Sequence, residues 1–259
     1  MKKQMKKLIR KMGYDIHRAE SPREGPESAD ERCARQFDAY AYYTRWQAPF
    51  PLFTPFAGHP DFMKAYDGIQ SSTQVSPERC YILQAFLRHA VNLPGDVAEC
   101  GVFKGGTALL AARTIQGSRK TLHLFDSFQG LSEATPGKDN YYKKGDFADT
   151  SEQAVRRLLA DFSDNVEFHV GWIPETFRNL PERMYSFVHV DVDLFQPALD
   201  CCNYYYPRLV PGGAMVFDDY GFPACRGEKE AVDSFCAGTR DSVITLLTGQ
   251  GLIIKTAVA

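Results

Sequence analysis

The chain has 259 residues, with 30 Lys and Arg against 32 Asp and Glu and a formal net charge of -2, so its surface as a whole has no electrostatic reason to seek a phosphate backbone, and no nucleic acid partner is expected. Apolar residues make up 44% and charged residues 24%, the balance of a globular domain and not of a disordered chain. No run approaches the roughly 20 apolar residues of a membrane span, and the seven cysteines, without C-x-x-C pairs, fit neither a disulfide framework nor a structural zinc site, which points to a reducing, cytoplasmic setting.

Met1 to Met12 is basic and lacks the apolar stretch of a secretory signal. Met5, Leu8, Ile9 and Met12 recur at helical spacing, the pattern of a short helix resting on protein or on a membrane surface. Ala19 to Ala29, rich in Ser, Pro, Glu and Gly, reads as a linker. Phe37 to Tyr66 carries Tyr40, Tyr42, Tyr43, Trp46, Phe50, Phe53 and Phe56 between Pro49, Pro51, Pro55 and Pro60; with no clean period, it is either irregular core or a cap facing an acceptor. The division expected is a segment over residues 1–70 with helical and irregular parts that caps the substrate, and an α/β domain over residues 71–259.

Ser76-Pro77-Glu78 has the composition of a helix start, and Tyr81 to Val91 follows as a buried helix. Strand patterns then come at Asp96 to Val102, Thr121 to Phe128, Val166 to Val170, Ser186 to Leu194 and Ala214 to Asp218. Helical stretches separate or follow them at Thr107 to Ile115, Ser151 to Phe162, Ala198 to Tyr206 and Glu228 to Ala237. Such alternation predicts a mostly parallel sheet with helices on both faces and ligands beyond the carboxyl ends of the strands. Val243 to Thr248 and Leu252 to Thr256, joined by Gly249-Gln250-Gly251, read as a closing antiparallel hairpin. That hairpin distinguishes the class I methyltransferase variant of the Rossmann-like fold from the dinucleotide-binding one.

The first strand runs into Glu99-Cys100-Gly101-Val102-Phe103-Lys104-Gly105-Gly106-Thr107. Glycines there let the chain turn sharply against a ligand at a helix amino terminus. The pattern is not G-x-G-x-x-G, and Glu99 would repel a pyrophosphate while suiting the cationic methionine end of S-adenosylmethionine. Asp126, at the end of the second strand, has the position of an acceptor for ribose hydroxyls.

His189-Val190-Asp191-Val192-Asp193 and Phe217-Asp218-Asp219-Tyr220 end adjacent strands, so four carboxylates converge on one sheet edge. Such a concentration of charge calls for a cation or for protonation. Asp191, Asp218 and Asp219 could supply oxygen ligands to Mg²⁺, or to Ca²⁺ or Mn²⁺, with Asp193 as the first candidate for general base. His189 is the second candidate base, or else a packed core histidine. Turn and N-cap chemistry is the structural alternative for the aspartates.

Together Asp96-Val97-Ala98-Glu99-Cys100-Gly101-Val102-Phe103-Lys104-Gly105-Gly106, Leu124-Phe125-Asp126-Ser127-Phe128-Gln129-Gly130-Leu131, the two aspartate motifs, Gly171-Trp172-Ile173-Pro174-Glu175-Thr176 and Thr248-Gly249-Gln250-Gly251 resemble the macrocin O-methyltransferase family from about Ser71 onward. The resemblance implies a metal-dependent enzyme that methylates sugar hydroxyls on natural products such as antibiotics. It places Asp191, Asp218 and Asp219 as metal ligands and Asp193 as base. Around the cofactor it places Thr73, Glu99, Gly101, Asp126 and Ser127, with Asp146, Phe147 and Trp172 near the adenine. A glycosylated small-molecule acceptor and a homo-oligomer are expected. The rival readings are N-methylation of an amine, a glycosyltransferase using the D-x-D of Asp191-Val192-Asp193, and a binding protein that retains the fold.

Overall fold

The computed structural model describes residues 59–257. The basic segment, the linker and residues 37–58 of the expected cap, Tyr43 and Trp46 among them, lie outside the described residues. The last part of the aromatic segment is helical: α1 spans Pro60–Asp67, starts on proline and buries Phe62. α2, Pro77–Ala90, also starts on proline, with Glu78 in its first turn and Arg88 and His89 in its last, each charge matched to the helix dipole. Cys80, Leu83, Leu87 and Ala90 form its buried stripe, as the 3.6-residue period requires.

The α/β unit then runs β1 (Asp96–Cys100), α3 (Gly106–Ile115), β2 (Leu122–Asp126), α4 (Glu152–Leu158), β3 (Val166–Val170), β4 (Tyr185–Val190), α5 (Phe195–Tyr205), β5 (Leu209–Phe217), α6 (Arg226–Cys236), β6 (Ile244–Thr245) and β7 (Gly251–Ile254). The strands form one seven-stranded sheet in the order β3-β2-β1-β4-β5-β7-β6. β1 to β5 pair parallel, and β7 enters antiparallel between β5 and β6. This is the mostly parallel sheet closed by a hairpin that the strand pattern predicts. The helix expected at Ser151 to Phe162 is shorter: α4 ends at Leu158 and a 3₁₀ segment, Ala160–Asn165, leads into β3. Conversely, β5 begins at Leu209, ahead of Pro211-Gly212-Gly213, where a register shift against β4 absorbs the irregularity.

Period-two alternation splits the core between the two sheet faces. Val97, Leu124, Phe187 and Val216 pack with α2 and α3, whereas Ala98, Phe125, Val188 and Phe217 pack with α5 and α6. The same parity sets Glu99, His189 and Asp218 on the α2–α3 face, and parallel register brings Glu99 opposite His189.

Candidate active site

β1 and β4 are held together at their carboxyl ends by a backbone contact that tolerates no side chain. Gly101, at φ 85°, donates its N–H to Phe125 O, and a Cβ there would collide with the carbonyl oxygen of Asp191. Asp126 fixes the same turn from β2. Its Oδ2 accepts from the N–H groups of Val102 (2.7 Å) and Phe103 (2.9 Å), and its Oδ1 accepts from Phe128 N–H at 2.6 Å. Oδ2 is filled by its two bonds, whereas Oδ1 accepts only one and retains acceptor capacity, so Asp126 can shape the turn and still accept from a ligand through Oδ1.

A cavity of about 300 Å³ opens over these strand ends, with Gly101, Asp126, Ser127, Phe147 and Trp172 on one part of its wall. Thr73, Arg79, Asp191, Asp193, Asp218 and Asp219 also line it. The sequence motifs around the glycine turn and the aspartates thus share one concavity, and Phe103 stands edge-on to Phe147 at 5.9 Å.

Asp193 is buried and takes the left-handed conformation, φ 60°, unusual for a residue with a side chain. The chain there leaves the direction of β4 and starts α5 two residues later, so Asp193 turns towards the cavity and Cys225 Sγ, 3.4 Å from its Oδ1. Asp218 is fully buried; its Oδ1 accepts from Gln250 Nε2 at 2.8 Å, and Thr248 Oγ1 in turn donates to Gln250 Oε1 at 2.9 Å. The guanidinium of Arg79 reaches from α2 to donate to Asp218 Oδ2 and, at 3.0 Å, to Asp219 Oδ1.

Too many acids meet here for all to ionise unaided. Burial, then the charges of Asp218 and Asp219, push the Asp191 carboxyl well above the usual range. Burial and Asp219 do the same to Asp193. Asp219 is raised by burial and by Asp218, with Arg79 opposing. Only Asp218 is held low: burial works against its charge, but Arg79 and His189 outweigh it. Beneath the cluster, Glu228 is buried and raised first by burial and then by Asp219, while its Oε1 accepts from Asp219 N–H at 3.3 Å.

Three expected site residues are not on the cavity wall. Glu99 and His189 form a buried pair beneath it, with His189 Nδ1 2.9 Å from Glu99 Oε1 and His189 Nε2 3.5 Å from Asp218 Oδ1. Burial disfavours charge on His189, but Asp218 and Glu99 outweigh it and raise its pKa well above the ordinary value. Glu99 and His189 each lie two residues short of the strand-end residue that reaches the wall, Gly101 and Asp191 respectively, which puts the pair under the cavity floor. Asp146 also stands off the wall: its Oδ2 accepts from Lys143 N–H at 2.9 Å and its carbonyl from Leu131 N–H at 2.8 Å. Sequence reasoning missed Arg79, Gln250 and Glu228. Thr248-Gly249-Gln250-Gly251 had stood out as a motif, but for Arg79 nothing in the local sequence signals a contact made 139 positions away.

Residues 69–241 match the family model described as macrocin-O-methyltransferase (TylF). The chain is 31% identical over 179 residues to mycinamicin III 3''-O-methyltransferase of Micromonospora griseorubida, covering 63% of this chain and 69% of that protein. It is 30% identical over 172 residues to demethyldecarbamoylnovobiocin O-methyltransferase of Streptomyces niveus, covering 60% and 64%. Among solved structures, the O-methyltransferase NovP superposes with a TM-score of 0.63 at 27% identity, over 72% of this chain and 83% of that one. The calicheamicin methyltransferase CalS11, at 17% identity and a TM-score of 0.58, shares the fold. With the family model spanning most of the described residues and the glycine turn, Asp126 and the aspartates gathered on one cavity, the chain belongs to the macrocin-O-methyltransferase family of S-adenosylmethionine-dependent O-methyltransferases.

Proposed function

We propose that this enzyme transfers the methyl group of S-adenosylmethionine to a sugar hydroxyl of a glycosylated small molecule, assisted by a divalent cation. The observation that carries this reading is the single cavity lined by both the Asp126 turn and four aspartates, Asp191, Asp193, Asp218 and Asp219. The relatives named for mycinamicin and demethyldecarbamoylnovobiocin support an acceptor of the natural-product type. The residues fit a divalent cation: four carboxylates, those of Asp191, Asp193, Asp218 and Asp219, face one cavity, with Arg79 bonded to two of them, a concentration of acid that calls for shared protons or a metal. Asp191, Asp218 and Asp219 would hold it, an all-oxygen set suited to Mg²⁺, Ca²⁺ or Mn²⁺.

In this reading Asp126 accepts from the ribose hydroxyls and holds the glycine turn against the nucleoside, with Phe147 and Trp172 packing near the adenine and Thr73 and Ser127 bounding the same pocket. When bound, S-adenosylmethionine would supply an electrophilic methyl carbon, and a divalent cation held by Asp191, Asp218 and Asp219 would supply Lewis acidity that eases deprotonation of a hydroxyl. Asp193 takes the hydroxyl proton on its carboxylate; burial and Asp219, which raise its pKa, bring its basicity closer to that needed near neutral pH. Glu99 and His189 brace Asp218 from below. Residues 1–70 would complete the acceptor side, and the surroundings would be the cytoplasm, with a homo-oligomer as the assembled form.

The test is methyl transfer from S-adenosylmethionine to a panel of glycosides with adjacent hydroxyls and to matching amino sugars, with Mg²⁺ and with EDTA. Oxygen-linked product that requires Mg²⁺ is expected. Product on nitrogen, or full activity in EDTA, would overturn the acceptor or the metal respectively, and turnover of a nucleotide sugar without methyl donor would favour a glycosyltransferase.

A further inference from the structure

A second cluster of metal-binding side chains lies at the β2–β3 edge of the sheet, on the α5–α6 face, outside the cavity. Strand register creates it: His123 of β2 pairs with Glu167 of β3, and His169 follows two residues along the same face. His123 Nδ1 is 3.1 Å from His169 Nε2 and 3.2 Å from Glu167 Oε2, and these last two atoms are 3.9 Å apart. An ion held tetrahedrally at about 2.0 to 2.1 Å from each ligand needs donor atoms roughly 3.3 Å from one another, close to the triangle found.

The other nitrogen of the central histidine is placed as such a site requires. His123 Nε2 lies 3.4 Å from Asp96 Oδ2, and Asp96 Oδ1 is itself fixed by Thr121 N–H at 3.0 Å. In the metal-free protein Arg183 Nη1 contacts this same nitrogen; once it has moved away, a proton on Nε2 can point at Asp96 and leave Nδ1 free to ligate, the carboxylate–histidine–metal relay found around protein-bound zinc. His123 is wholly buried, and His169 is stacked on Phe125 at 4.3 Å with its ring tilted 14°, so both imidazoles are positioned by packing.

We propose that His123, Glu167 and His169 form a binding site for a transition-metal ion of the Zn²⁺ type, oriented by Asp96 and separate from the aspartate cluster. The donor set, two imidazoles and a carboxylate, selects borderline ions over Mg²⁺. In the metal-free protein Arg183 serves as the counter-cation. Its Nη1 rests against the His123 ring and lies 3.6 Å from Asp96 and 3.7 Å from Glu167. Its side chain is 19% exposed and withdraws towards solvent as the ion enters. A bound ion clamps the edge strand β3 to β2, so its thermodynamic effect is stabilisation.

The experiment is titration of full-length, tag-free protein with Zn²⁺ in a saturating excess of Mg²⁺, which keeps the oxygen-lined site filled, followed by calorimetry and thermal melting; Co²⁺ substitution reports the donor set through its visible spectrum. One equivalent of Zn²⁺ should bind and raise the Tm. His169→Ala and Glu167→Gln should each weaken binding by more than about 100-fold, and Asp96→Asn by about 10- to 100-fold. Arg183→Ala should tighten it. Glu167 is half exposed, so Glu167→Gln tests the site without emptying the core. Absence of Zn²⁺ binding in the wild type, equal binding by His169→Ala and Glu167→Gln, or a cobalt–thiolate charge-transfer band indicating a cysteine site would overturn the proposal.

Discussion

Asp193 and Asp191 are separated by one residue and line one cavity, yet the proposed mechanism gives them different work. Asp193 sits in a left-handed turn beside Cys225, a strained conformation of the kind concentrated at functional positions. Asp193→Asn should therefore reduce kcat by about 10²- to 10⁴-fold at nearly unchanged metal and cofactor affinity, with no rescue by added metal. Asp191→Ala, Asp218→Ala and Asp219→Ala should instead lower metal affinity, and excess Mg²⁺ should restore part of their rate; a shared response of all four in a Mg²⁺ titration would refute the division. Asp126→Ala removes the acceptor for three backbone N–H groups as well as any ribose contact. Calorimetry with S-adenosylmethionine should show a loss of about 1.5 to 3 kcal/mol, the usual cost of a charged hydrogen bond. The aspartates were legible because two acidic motifs at neighbouring strand ends are hard to explain by turn chemistry alone. Glu99 and His189, paired across β1 and β4, stand off the wall because each lies two residues short of the strand end, a depth that the sequence pattern does not reveal.

At the scale of elements, the hairpin does more than close the sheet. β7 lies between β5 and β6, and the residue just before it, Gln250, donates to Asp218 Oδ1. Removing that amide by Gln250→Leu leaves Asp218 with less orientation and a buried oxygen with one donor fewer, at a cost of about 1 to 3 kcal/mol. The expected readout is a lower Tm together with weaker Mg²⁺ binding; a Tm loss alone would make Gln250 purely structural. Strand and helix existence was readable because period-two runs flanked by Gly and Pro alternate with helical stretches. Ends were less so, as at α4, where Leu159 passes into a 3₁₀ turn, and at β5, where pairing with β4 carries the strand across Pro211 and two glycines. Arg79 was invisible for the complementary reason: its helix was expected, but the contact of that helix with the end of β5 depends on how the two faces are covered.

For the whole molecule, the acid cluster predicts how stability responds to pH. Asp191, Asp193 and Glu228 carry raised pKa values. As pH climbs above their ordinary values, 3.8 for the aspartates and 4.5 for Glu228, the unfolded chain releases protons that the folded one keeps, so stability falls with rising pH until the native carboxyls also ionise. Asp218 has the opposite sign. Its pKa is lowered, so the stability it contributes is present above the ordinary value and is lost as pH falls through its folded one. Melting in EDTA should accordingly show Tm declining from about pH 5 to about pH 8, and Mg²⁺ should flatten the decline because it favours the ionised forms. A Tm that rises over the same interval in EDTA would contradict the assigned directions.

The tie between Gln250 and Asp218 also has a meaning for how the enzyme comes into being. Gln250 is the last group in chain order among those that touch the aspartates described here, while Thr73, at the other extreme of the wall, precedes it by most of the α/β unit. Domains fold as their segments emerge during synthesis, and this one can assemble much of its parallel sheet on the ribosome while its acid cluster is still unbraced. The brace on Asp218 is thus among the last contacts of the cluster that synthesis can supply.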